Sequence, residues 1–134
     1  MRPPGNTSDA KFVLIDPEPI TAIKLLERTL GRDDVFSGFL RSLEGSLAGF
    51  GAEFCDHVAR GDTAAAQRAA HTLKGSCLQL GARALGELFA DIERAAKAGN
   101  YVEAKRKFDS AASLVAQSIE ALRGAQTQSA QRPS

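Results

Sequence analysis

Several common sources of stability and function are missing from this chain. Two cysteines, Cys55 and Cys77, are too few for a disulfide framework. Both stand among apolar residues at helical spacing, so each is expected to be a small buried hydrophobe in a reducing compartment. No apolar run approaches the roughly 20 residues needed to cross a bilayer. Residues 1–9 are polar and lack a signal core, so a cytoplasmic location without membrane insertion is expected. Neither sign of charge dominates: 17 Lys+Arg stand against 16 Asp+Glu. That balance gives no argument for nucleic acid or an anionic surface as partner, and any functional charge must be local. Strand alternation and internal repeats are also missing. No glycine-rich loop follows a strand, so the chain has no evident means to bind ATP and is not a complete kinase.

What is present is helical periodicity. A length of 134 residues suits one domain with its own core. Polar, Pro- and Ser-containing ends at residues 1–11 and 123–134 read as flexible tails around a domain at residues 12–122. Asp16-Pro17 opens a short first helix with Ile20, Ile23, Leu26 and Leu30 on its face, and Gly31 ends it. Asp33 or Asp34 caps a long second helix whose seam is Phe36, Leu40, Leu43, Leu47, Phe50, Phe54 and Val58. Gly38, Gly45, Gly49 and Gly51 weaken that helix, by about 1 kcal/mol each relative to Ala, so packing must hold it. A third helix runs from about Thr63 to Leu80, a fourth from Ala82 to Ala98, and a last from Tyr101 to Leu122. Gly61, Gly81 and Gly99 punctuate them, and such short connections imply antiparallel neighbours. The expected fold is all-α, an antiparallel up-down-up-down four-helix bundle with an additional short N-terminal helix.

Helical phase then singles out His71. At about 100° per residue, Ala66, Ala69, Leu73, Cys77 and Leu80 fall within roughly 60° of the pole opposite His71. Gln67, Arg68, Lys74, Gly75 and Leu78 fall within roughly 60° of His71 itself, and Gln79 lies at the rim. His71 is therefore outward-facing rather than a core histidine. Lys74, one turn on, places an ammonium beside it. Gly75 opens a flat patch where another backbone can approach, and Leu78 extends that patch. A histidine with an ordinary pKa near 6.5 is substantially neutral in the cytosol and keeps a nucleophilic lone pair. Phosphoryl transfer needs positioning and charge stabilisation, and an exposed helix face supplies little of either alone. A partner must complete the site.

The run His71-Thr72-Leu73-Lys74-Gly75-Ser76, followed by Leu80-Gly81-Ala82, resembles the signature of histidine-containing phosphotransfer (HPt) domains of bacterial two-component phosphorelays. Leu30-Gly31-Arg32-Asp33, Gly61-Asp62, Ile92-Glu93 and Gly99-Asn100 extend the resemblance across residues 12–122. The resemblance implies that His71 is phosphorylated on its outer ring nitrogen, that Lys74 stabilises the phosphoryl charge, and that Gly75 admits a receiver domain. It also implies that Glu93, on the next helix, orients the imidazole, although a glutamate there also suits a solvated surface charge. Gln67, Arg68, Leu78 and Gln79 are candidate docking contacts. The implied partners are receiver domains and a hybrid sensor histidine kinase acting on a monomer. No intrinsic cofactor is expected; Mg²⁺ is expected on the receiver.

Two other readings use the same residues. In one, the bundle is a non-catalytic adaptor that binds a signalling protein through the Lys74, Gly75 and Leu78 face. In the other, His71 is the general base of a helical enzyme, a reading that lacks a cleft and a second catalytic group. His57, near Asp56 and Asp62, has too few companions for a metal site. Asp33-Asp34 is read as helix capping rather than the acidic pair of a receiver domain, since no strands accompany it.

Overall fold

The computed structural model describes residues 13–131, and among these the chain is all-helical. Six helices follow one another: α1 (Pro17–Leu30), α2 (Val35–Ala59), α3 (Thr63–Gln79), α4 (Arg83–Lys97), α5 (Tyr101–Asp109) and α6 (Ala112–Gln131). The expected tail at residues 1–11 and the last residues, 132–134, lie outside the described residues.

Local chemistry explains where the helices begin. Asp16, Asp62 and Asn100 each accept a hydrogen bond from a first-turn amide, those of Glu18, Ala65 and Glu103 respectively. Such caps satisfy amides that the helix itself leaves unpaired. The start of α2 departs from expectation. Asp34 occupies the cap position but makes no cap bond. Its carboxylate is taken up by a two-pronged pair with Arg32. Instead, buried Glu27 of α1 accepts the Phe36 amide at 2.8 Å. The negative charge sits at the positive end of the α2 dipole, and the bond ties α1 to α2.

Helix ends follow the glycines. Gly31, Gly61, Gly81 and Gly99 have φ between 68° and 82°. The amide after each reaches back to the final turn, as in Arg32 to Glu27 and Ala82 to Cys77. Gly81 is the most constrained of the four. Its carbonyl accepts the Asp16 amide at 2.7 Å. A Cβ there would collide with the Asp16 carbonyl oxygen.

The core matches the α2 seam. Phe36, Leu40, Leu43, Leu47, Phe50 and Phe54 are all buried. Phe50 is the hub, with ring centroids 5.3 Å from Phe54, 5.1 Å from Phe89 and 4.9 Å from Phe108. At Gly51 a Cβ would meet α5 at ordinary contact distance, 3.4 Å from Phe108 Cε2. By contrast, Cβ atoms at Gly38, Gly45 and Gly49 would meet open space. Against this seam pack Leu73 and Cys77 of α3 and Leu85, Phe89 and Ile92 of α4.

Four expectations need correction. On α1, Ile20 and Ile23 face the core, but Leu26 and Leu30 are 47% and 55% exposed, because α1 meets α2 through Glu27 instead. The last helix is two: the chain turns at Ser110-Ala111 between α5 and α6. Ser110 Oγ donates to the Arg106 carbonyl at 2.7 Å, a local bond of the kind that bends helices. Residues 123–131 are helical where a tail was expected. Ala125 still packs on the core and Arg123 pairs with Glu44 at 2.8 Å, so the helix outruns its last large apolar residue. Finally, Cys55 is exposed; only Cys77 is buried, and burial pushes its thiol up to about 12.

Candidate functional site

α3 and α4 pack side by side, and His71 stands on α3 beside their junction. Ala66, Ala70, Leu73 and Cys77 turn inward from α3. Ala70 is fully buried while Ala69 is half-buried, so the inward stripe leans further toward Ala70 than phase alone places it. That rotation carries His71 and Lys74 toward α4. The His71 side chain remains 63% exposed.

Glu93 of α4 faces them from an almost buried position, its side chain 10% exposed. Glu93 Oε2 lies 3.0 Å from His71 Nδ1, and Oε1 lies 3.2 Å from Lys74 Nζ. One carboxylate thus bridges two residues that sit one turn apart on α3. Burial pushes the Glu93 carboxyl up. The Lys74 and His71 hydrogen bonds, with the charges behind them, outweigh burial and hold it below the usual carboxylate value. It is ionised at neutral pH. A carboxylate only accepts, so Nδ1 carries the proton and donates. In the neutral ring Nε2 then holds the lone pair, and Nε2 is the nitrogen left for chemistry. Chemically, the arrangement can present an oriented, exposed imidazole nitrogen with a cation alongside.

The surroundings are open. Gly75 is exposed, and a Cβ built on it would meet nothing within 4 Å. Leu78 is 46% exposed, but its side chain lies over Gly86 of α4, where a Cβ would collide with Leu78 Cδ2. Gly86 thus seats Leu78 at the edge of the patch. Arg68 and Gln79 are exposed and Gln67 is half-buried. Among the described residues no hydrogen bond or ion pair joins these three to the Glu93 cluster. Arg68 and Thr72 instead line a cleft of about 350 Å³ between α2 and α3, opposite Gly45, Gly49, Glu53 and His57. Two of the α2 glycines therefore leave open space on the flank of the α3 face.

Sequence reasoning missed one member of the cluster. Lys97 Nζ lies 3.5 Å from Glu93 Oε2, one turn further along α4. The spacing of four between Glu93 and Lys97 is the signal that could have found it. Among the described residues no group of three or more His, Cys, Asp or Glu could hold a metal ion. None of the described helices is long and apolar enough to cross a membrane.

No curated protein and no solved structure matches the chain closely. A family model does match, that of the Hpt domain, over residues 34–125. The match includes α2 to α5 and α6 as far as residue 125, and it leaves α1 outside. The chain belongs to the Hpt domain family, the phosphocarriers of histidine phosphorelays.

Proposed function

We propose that His71 is the phosphoacceptor and that it relays phosphoryl groups between receiver domains. The observation that carries the reading is the Glu93 Oε2 contact, 3.0 Å from His71 Nδ1, which reserves Nε2 for attack. In the forward step the Nε2 lone pair attacks the phosphorus of a receiver's aspartyl phosphate. The N–P bond forms as the P–O bond to aspartate breaks, and that electron pair stays on the aspartate. The ring keeps its Nδ1 proton and gains positive charge, which Glu93 offsets at close range. Reversal onto a second receiver returns His71 to its starting state.

The remaining roles follow from position. Lys74 neutralises part of the dianionic phosphoryl group. Gly75 leaves room for the receiver's backbone, and Gln67, Arg68, Leu78 and Gln79 contact it at the rim. Glu93 is a positioning residue, since it acts through the ring and through Lys74. Mg²⁺ belongs to the receiver and is no ligand of this chain. The donor is the receiver of a hybrid sensor histidine kinase, in the cytoplasm, acting on a monomer. The short connections support an antiparallel up-down-up-down bundle in which α2, α3, α4 and the α5–α6 pair are the four members and α1 is added at one end.

Labelling tests this. A receiver domain charged with acetyl phosphate should transfer label to the wild-type protein, giving an acid-labile, base-stable adduct. His71→Gln should keep its circular dichroism spectrum and lose all label. Label on His71→Gln would overturn the assignment. The adaptor reading is favoured instead if His71→Gln signals normally while Gly75→Trp abolishes partner binding.

A further inference from the structure

Three basic side chains converge on one nearly buried carboxylate. His71 Nδ1 and Lys97 Nζ lie 3.0 and 3.5 Å from Glu93 Oε2, and Lys74 Nζ lies 3.2 Å from Oε1. With a neutral ring the cluster holds one negative and two positive charges, more cation than the carboxylate alone requires. This excess has a use once a phosphoryl group is added. A dianion on Nε2 draws Lys74 away from Glu93 and leaves the phosphorylated ring as the only α3 cation beside it, and a nearly buried carboxylate that loses one of its cations is disfavoured. Glu93 would therefore compete with the phosphoryl group for Lys74. Lys97 removes that competition. It reaches Glu93 from α4, on the side of the oxygen that Lys74 does not use. Its side chain is 62% exposed, and among the described residues it has no other ion pair.

We propose that Lys97 is a positioning residue that keeps Glu93 neutralised while Lys74 turns to the phosphoryl group. The proposal rests on His71 being the phosphoacceptor. If Lys97 were merely one half of a surface pair four residues apart, its loss would shift stability slightly and equally in both states and leave transfer alone.

The measurement is the equilibrium distribution of phosphoryl groups between the full chain and a receiver domain charged with acetyl phosphate. Lys97→Met should shift that equilibrium toward the receiver by about fivefold or more, the range of ordinary coupling between two sites. Lys97→Arg should restore it. Lys74→Met should show a loss at least as large, and adding Lys97→Met to Lys74→Met should change nothing further, because Lys97 acts by freeing Lys74. An unchanged equilibrium in Lys97→Met, or losses that add in full in the double variant, would overturn the proposal. Failure of the underlying reading shows separately: the wild-type protein would take no label, or His71→Gln would take it.

Discussion

His71 and Glu93 lie 22 positions apart in sequence and meet at 3.0 Å because α3 and α4 pack side by side. His71 and Lys74 were legible in the sequence and Glu93 through the family resemblance, whereas Lys97 was not. Helical phase on α3 alone places His71 outward and Lys74 beside it. It cannot show that both lean on a carboxylate of the next helix. Glu93 therefore looked equally like a solvated charge. Its burial and its cations settle its state, and they make a prediction about acid. The folded carboxyl titrates below its ordinary value near 4.5. Stability from its ionised form is then present above that value and is lost as pH falls through the lower, folded value. Glu93→Gln should be less stable than wild type at neutral pH, and the gap should close on acidification below about pH 4.5. Urea midpoints of the two proteins across this range provide the check; a gap that does not change with pH would contradict the assignment.

Helix starts and stops were largely readable one element at a time, because caps and glycine stops act over four or five residues. Asp16, Asp62 and Asn100 cap as their types suggest, and each stopping glycine takes a positive φ. One failure is a place where a residue of another helix intervenes: Glu27 caps α2 in place of Asp33 or Asp34. The other is local, where the chain turns at Ser110-Ala111 and the Ser110 hydroxyl bonds the Arg106 carbonyl. Glycines that look alike in sequence also differ. Gly81→Ala should cost about 2 kcal/mol or more, since the left-handed conformation alone costs about 1–2 kcal/mol for a residue with a Cβ. The collision with the Asp16 carbonyl adds to that cost. Gly45→Ala, in a helix interior facing open space, should instead stabilise by about 0.5–1 kcal/mol. Thermal melts of both variants separate the two kinds of glycine; equal shifts would contradict the account.

At the scale of the molecule, one aromatic cluster holds α2, α4 and α5 together, and the site sits on the surface of that frame. Phe50 touches Phe54, Phe89 and Phe108, so Phe50→Ala should cost about 3–5 kcal/mol in chemical denaturation. A loss under 1 kcal/mol would mean that the hub collapses without strain. The sequence by itself determined the helical class, most helix boundaries, the α2 seam and the outward direction of His71. Each of these depends on spacing along one helix and on bonds that span a turn. Only the tertiary structure decided which exposed side chains work together. Glu93 is buried because α4 packs on α3, and that packing gathers His71, Lys74 and Lys97 onto one carboxylate. Exposed leucines on α1, an exposed Cys55 and a helix that continues past Leu122 were settled in the same way. Burial belongs to the contact between two elements, and periodicity describes only one of them.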